Sequence, residues 1–540
     1  LGKHKRTGIA AGATVLIVTN FIVKGIGVIY KIPLANILGQ DGMGYLSTAY
    51  EIYLLILTIF SSGGAVAVSK MIAESYALGR YTEIRKVFRL MALSLIVVGS
   101  TGTVIMLLGY KTLASLFNNS PAAYCIMVLS PSLFFLSVSS VVRGFFQGIG
   151  NMRPTGVSQA IEALSKLLIG VGFAVLFSKL KFPIEIVSAG GISGTTLSTL
   201  IGALVVLLIF ISSKKRKKLY ELAPENTECR SSKQLLLSFW KIVIPLSLSA
   251  VVVNLTGFLD LFLIFDRLAS IGLTQEEANA AYGAYKGYAH TLFNLPPSII
   301  SSINISIIPA ISAAFAVKNF KRARHVLNRS IKIVIIMALP CAVGLMVMAG
   351  PIQRMLYPAR LGEIKEVTPL LVILGFASFW TSISTLTTAL LQSAGKMNLP
   401  VISLAVGGAV KLITNYILVG IKTIGIKGAP IGTVMCYMVM TVMNYIWLKR
   451  ELPFKFLFMR YMIKPLFAGG VMGVFVYYCQ LLLTPTIGDR IATFFSIILA
   501  AGVYALVLVA TKGINEDDIT LLPKGAVIVR CLKKMRLLRS

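Results

Sequence analysis

The sequence predicts an all-α polytopic membrane protein with 14 transmembrane helices, built as two parallel six-helix repeats, or lobes, plus two extra C-terminal helices. Three observations predict this. Of 540 residues, 56% are hydrophobic and 13% charged, and the mean hydropathy is +0.82, whereas a soluble domain carries about 25% charged residues. Apolar runs of the roughly 20 residues needed to cross a bilayer recur from one end to the other, separated by short polar stretches. The first half also resembles the second.

Counting the runs in order gives spans at 8–37, 44–68, 87–109, 121–146, 155–178, 185–212, 236–265, 284–312, 327–350, 366–391, 399–421, 428–448, 462–483 and 490–511. The first is too long for a signal-peptide core and lacks a cleavage site, so it reads as a retained helix. Spans 1 to 6 form the N-terminal lobe, 1–213, and spans 7 to 12 the C-terminal lobe, 236–450, joined by a basic linker at 214–235. Spans 13 and 14 occupy 451–511, and a basic tail occupies 512–540.

Lys and Arg outnumber Asp and Glu by 52 to 20, a formal net charge of +32. In a soluble chain that excess would suggest nucleic acid. Here it follows the membrane: with the N-terminus in the cytoplasm, about 35 Lys and Arg fall in inside segments and about 10 outside. Lys214-Lys215-Arg216-Lys217-Lys218 and Lys321-Arg322-Ala323-Arg324 are the strongest inside signals. Both termini are therefore expected in the cytoplasm, with the basic runs against anionic headgroups.

Several classes are excluded on the same page. Six cysteines stand singly, with no CxxC and no neighbouring His, so neither a disulfide framework nor a metal site is expected. No GxxxxGK[ST] or HExxH occurs, and the longest expected loops, 213–233 inside and 266–283 outside, run about 20 residues, too short for an attached ATPase. No enzyme activity, cofactor or nucleic-acid partner is expected.

The repeat rests on matches in register. Gln147-Gly148-Ile149-Gly150-Asn151-Met152 with Lys166 recurs as Gln392-Ser393-Ala394-Gly395-Lys396-Met397 with Lys411, at an offset of 245. Ile192-Ser193-Gly194 with Thr199 pairs with Ile426-Lys427-Gly428 with Thr433 at 234. Because six is even, both copies enter the membrane with the same orientation, and such lobes enclose a site that opens to each side in turn.

A charge inside a spanning helix costs about 2.5–3.5 kcal/mol on insertion scales, so those present mark cavities or partners. Span 1 carries Asn20, Lys24, Gly27 and Lys31, and span 2 carries Thr48, Glu51, Thr58 and Ser62. The polar stripe of span 7 is Ser247, Asn254, Gly257 and Asp260; that of span 8 is Lys286, His290 and Asn294, ending at Pro296-Pro297. Helical spacing puts each set on one face. The expected central cavity is thus lined by Lys24, Lys31, Glu51, Asn254, Asp260, Lys286, His290 and Asn294, with cations in excess and suited to an anion. Glu162 and Lys166 sit one turn apart and can pair locally, while Arg143 reads as a cytoplasmic anchor.

These features resemble the MOP flippase superfamily. The residues that carry the resemblance are Ile37-Leu38-Gly39, Gln147-x-x-Gly150-x-Met152 and the Gly-rich pattern from Gly425 to Thr433, together with the helix count. Within it the chain is similar to polysaccharide-biosynthesis and stage V sporulation protein B-like members, related to the lipid II flippases. The resemblance implies an alternating-access flippase of a bacterial cell membrane that moves an undecaprenyl-pyrophosphate-linked saccharide, a cell-wall or polysaccharide precursor, from the cytoplasmic to the outer leaflet. It implies a prenyl-tail groove at spans 13 and 14, membrane lipids as partners, and drive from the membrane potential or a coupling ion, H+ or Na+. Lys24 falls near a cavity arginine of span 1 in that pattern. The span-8 pattern Tyr-x-x-Arg-Leu is met by Tyr288-Ala289-His290-Thr291-Leu292, with Thr291 in the place of the arginine and Lys286 or His290 close enough to supply the charge. The alternative is a MATE-type multidrug or cation antiporter, against which the extra helix pair and lysine excess argue. A membrane glycosyltransferase would need a surface carboxylate or metal site, and no DxD motif is present.

Overall fold

The computed structural model describes residues 2–61, 63–214, 216, 229–301, 311–312, 319–451 and 458–514. Most of the 214–235 linker and nearly all of the 512–540 tail therefore lie outside the described residues, as do Lys215, Lys217 and Lys218 of the basic run. Helices account for the fold, and there is no strand among the described residues.

Among the described residues, twelve helices are long and apolar enough to cross a membrane. That number differs from fourteen at two places. The first candidate runs 60 residues, Val18–Ala77, and holds the expected spans 1 and 2. Its main helix, α1 (Gly2–Ser61), is broken at Gly39, whose φ of 68° and ψ of −171° favour a residue without a Cβ. An unbroken helix of that length would be about 90 Å long, three times the hydrocarbon thickness. The break yields two arms, 2–38 and 40–61, and α2 (Gly64–Ala77) follows. The second difference is span 8, expected at 284–312, of which 302–310 lie outside the described residues; its described part holds a π-helical turn at Ala284–Ala289, a short helix at His290–Phe293 and helical residues at 295–301.

The remaining described helices of eight residues or more are α3 (Tyr81–Leu108), α4 (Ser132–Gly148), α5 (Arg153–Lys179), α6 (Ile184–Ser212), α7 (Ser232–Ser270), α8 (Gln275–Gly283), α9 (Phe320–Val347), α10 (Ala349–Leu356), α11 (Ile364–Ser393), α12 (Asn398–Val419), α13 (Gly428–Glu451), α14 (Phe458–Ile487) and α15 (Asp489–Ala510). The 266–283 segment, expected as an outside loop, contains α8. Its start is a capping box: the Thr274 backbone N–H donates to Glu277 at 2.8 Å and the Glu277 N–H donates to the Thr274 hydroxyl at 3.3 Å. Those bonds hold the Glu277 carboxyl below its ordinary pKa.

The chain forms two compact units, Leu1–Asp266 with Thr274–Gly283, and Arg267–Leu273 with Ala284–Ser540. Compact unit and sequence repeat do not share a boundary, because most of α7 belongs to the first unit. Leu235, Phe239 and Val243 of α7 are buried in one core with Phe145, Phe146 and Phe210. Just before it, the Arg230 guanidinium donates to buried Glu83 at 2.7 Å, a bond that raises the Arg230 pKa. In the second unit α9, α11 and α13 share a core, and α14 and α15 pack onto α9 through Met472, Val476 and Tyr504. The Tyr504 hydroxyl donates to the Ile336 carbonyl at 2.7 Å.

The repeat is visible in hydrogen bonds. Gly150 (φ 75°) and Gly395 (φ 81°) both sit in the left-handed region. After α4 the Asn151 N–H donates to Phe146 O at 2.8 Å; after α11 the Lys396 N–H donates to Leu391 O at 3.0 Å. Each Gln-x-x-Gly element is therefore a glycine-terminated helix end of the same type. The second sequence match is shifted by one turn. Gly194 packs against Gly170 and the Lys166 carbonyl, while Gly432 packs against Asn415 and the Lys411 carbonyl, so packing pairs Gly194 with Gly432 rather than Gly428.

Candidate functional site

The first unit holds a partly open cavity of about 370 Å³ lined by the first arm of α1, the second arm, α4, α5 and α6. Its construction begins with glycines. A Cβ at Gly170 would lie 2.7 Å from the Tyr30 ring and from the Gly191 carbonyl, so only a residue without a side chain lets Tyr30 reach α6. The Tyr30 hydroxyl then donates to Gly191 O at 2.8 Å. Gly202 likewise leaves room for Glu162, whose carboxylate would be 2.9 Å from a Cβ there.

Three charges meet in the wall. Arg143 Nη2 of α4 is 2.7 Å from Glu162 Oε2 of α5, with side chains only 11% and 21% exposed. Arg143 Nε donates to Ser158 Oγ at 3.0 Å, which fixes the guanidinium plane. Lys166, one turn beyond Glu162, does not pair with it. Its Nζ lies 4.9 Å from the Tyr30 ring centroid and 5.4 Å from that of Tyr50, a cation held by two π faces. Asn20, Gln159, Thr195 and Thr199 supply neutral donors and acceptors, and Gln159 Oε1 is buried without a hydrogen-bond partner.

Sequence reasoning set Arg143, Glu162 and Lys166 aside as anchors or a local pair. The signal that singles them out is three intramembrane charges on adjacent helices within 24 residues.

The eight expected central-cavity residues are distributed as follows. In the first unit, Lys24 is exposed, Lys31 and Glu51 are half-buried and Asp260 is fully buried. The polar stripes of spans 2 and 7 do meet: Asn254 Nδ2 donates to Thr58 Oγ1 at 2.7 Å, and a Cβ at Gly257 would lie 2.8 Å from Glu51 Oε2. In the second unit, Lys286 Nζ lies 5.7 Å from the Tyr285 ring centroid, and His290 and exposed Asn294 share a 3.0 Å hydrogen bond. Among the described residues no group of His, Cys, Asp or Glu is arranged to hold a metal ion.

The second unit has a different cavity, also about 370 Å³, and apolar. Leu295 and Pro296, Pro340 and Leu345 of α9, and Met472, Ile497 and Tyr504 of α14 and α15 line it. The two helices outside the repeat thus form one wall of an oily pocket, which suits a hydrocarbon chain and offers nothing to an ion.

The chain matches the family described as polysaccharide biosynthesis protein over residues 9–315, and the MatE family over 268–417. Stage V sporulation protein B of Bacillus subtilis (strain 168) is 24% identical over 528 residues, 96% of this chain and 98% of that protein. Lipid II flippase MurJ of the same organism is 24% identical over 481 residues, 87% of this chain and 88% of that protein. The solved structure of lipid II flippase MurJ in an inward closed conformation superposes with a TM-score of 0.68 at 15% identity, covering 91% of this chain and 98% of that one. An inward-facing multidrug resistance MATE family transporter gives 0.66 at 16%, covering 80% and 94%. The structural likenesses show a common fold. With its helical architecture, its internal repeat and a family match over more than half its length, the chain belongs to the polysaccharide biosynthesis protein family of the MOP superfamily, related to MurJ.

Proposed function

We propose that this multi-pass bacterial membrane protein is a flippase that carries an undecaprenyl-pyrophosphate-linked saccharide from the cytoplasmic to the outer leaflet by alternating access, with both termini in the cytoplasm. Homology to a lipid II flippase and a sporulation protein supports a lipid-linked precursor as cargo. The observation that carries the reading further is the apolar pocket walled by α14 and α15. A polyprenyl chain needs an apolar track while its headgroup crosses, and these helices lie outside the duplicated twelve. Lys24, Lys31, Lys286 and His290 supply positive charge for the pyrophosphate, with Glu51, Asn254, Asp260 and Asn294 completing the polar lining. No bond is made or broken in such a step. The drive is the membrane potential, worth about 2.3 kcal/mol per charge per 100 mV, or a coupled H+ or Na+.

The test is translocation in reconstituted vesicles of lipid II, of other prenyl-linked saccharides and of a cationic dye. Lys24→Ala is expected to abolish movement of the prenyl-linked cargo without lowering protein abundance, and Lys24→Arg to retain much of it. Unchanged transport by the alanine variant removes Lys24 from the site. The MatE match and the MATE-like fold favour a second reading, a cation antiporter; uptake of the dye alone would establish it.

A further inference from the structure

The charged cavity inside the first unit has no task in that scheme. Its composition is wrong for a pyrophosphate: Arg143 is already neutralised by Glu162 at 2.7 Å, and the carboxylate would repel a polyanion. It is equally wrong for an organic cation, since Lys166 stands in the wall among tyrosine rings. What remains is a chamber of about 370 Å³, inside the roughly 300–1,000 Å³ range of small-molecule sites. It combines flat aromatic faces with closely mixed donors and acceptors. Lys166 and Arg143 donate, Glu162 accepts, and Gln159 Oε1 is buried with its lone pairs unused. A neutral polyhydroxylated ring meets these needs at once: its hydroxyls both give and take hydrogen bonds, and its C–H faces suit a wall that carries Tyr30, Tyr50 and Tyr53.

We propose that the cavity within the first unit is a saccharide subsite, which takes one sugar ring of the lipid-linked cargo and reads it by hydrogen bonds from Gln159, Lys166 and the Arg143–Glu162 pair. The assignment rests on the flippase reading for its ligand but concerns a different place in the molecule. It predicts that sugar identity is sensed by this cavity, and that the pyrophosphate and prenyl chain are not.

The experiment measures Kd for the full-length protein in nanodiscs. The probes are undecaprenyl pyrophosphate without sugar, and the same lipid carrying N-acetylglucosamine, glucose or the lipid II disaccharide. For the native protein, at least one sugar-bearing lipid should bind about tenfold or more tightly than the bare lipid, the scale of a few hydrogen bonds in a desolvated site. Lys166→Met and the milder Gln159→Leu should each bring that ratio towards one, while their thermal midpoints stay close to native. If both variants weaken the bare lipid as much as the sugar-bearing one, or if native protein binds all the lipids alike, the cavity is no saccharide subsite and the flippase reading stands. If native protein binds no prenyl lipid, both fail.

Discussion

The two halves of the duplicated chain place different chemistry at corresponding positions. At the 245-residue offset, Arg143, Ser158, Glu162 and Lys166 correspond to Thr388, Ser403, Gly407 and Lys411. In the first half the set is ionic and borders a cavity. In the second only the lysine keeps its charge, and a neutral network stands where the ion pair would be: Asn444 accepts from Ser403 Oγ at 2.8 Å and donates to Thr388 Oγ1 at 3.1 Å and Thr387 Oγ1 at 3.3 Å. The helix contact is exchanged as well. Glu162 faces Gly202, whereas Gly407 faces Met440, so bulk has moved from one helix to the other. Duplication preserved the packing of α5 on α6 and of α12 on α13, while leaving each interior free to acquire its own polarity. At these four corresponding positions, it is the first half that holds an ion pair away from water.

The largest test of this contrast is Glu162→Ala, which leaves Arg143 buried without its carboxylate and should cost about 3 kcal/mol, read as a lowered thermal midpoint in detergent. The double variant Arg143→Met with Glu162→Leu should regain most of that loss, because an apolar pair of similar volume avoids the desolvation of two charges. Transport should nevertheless stay impaired; a double variant as unstable as the single one would break the comparison. Asn444→Ala in the neutral half should cost less, about 1 kcal/mol, because Thr387 and Ser403 keep hydrogen bonds to their own helices. The smallest effect belongs to Arg354→Ala. That residue pairs with Asp489 at 2.6 Å, but the side chains are 42% and 29% exposed, and such a pair contributes about 0.5 kcal/mol. A cost equal to that of Glu162→Ala would mean that burial is not what distinguishes the two ion pairs.

Much of the fold was legible in the sequence because the bilayer imposes a length and a polarity on each crossing. The Gln-x-x-Gly match was legible for a local reason, since Gly150 and Gly395 end their helices with the same hydrogen bonds. Three features were not. The start of α8 carries a capping box, Thr274-x-x-Glu277, but the helix that follows has too few apolar residues to stand out beside the longer runs. The Arg143–Glu162 pair joins α4 to α5 across the turn at Gly150, so neither helix's periodicity reveals it. A lysine one turn from a glutamate reads as a local pair, and only coordinates show that the glutamate points to Arg143 and the lysine to Tyr30 and Tyr50. Spacing also could not reveal that α7 joins the first unit, which depends on Phe239 meeting Phe145.

Gly150 and Gly395 have open space where a Cβ would stand, yet both have positive φ. Crowding therefore plays no part in the choice of glycine at either turn; chirality does. An L-alanine should be disfavoured by about 1 kcal/mol, whereas its mirror-image residue, introduced by chemical ligation, should be accommodated without strain. The same enantiomeric preference at two sites 245 residues apart is what two copies of one helix ending require.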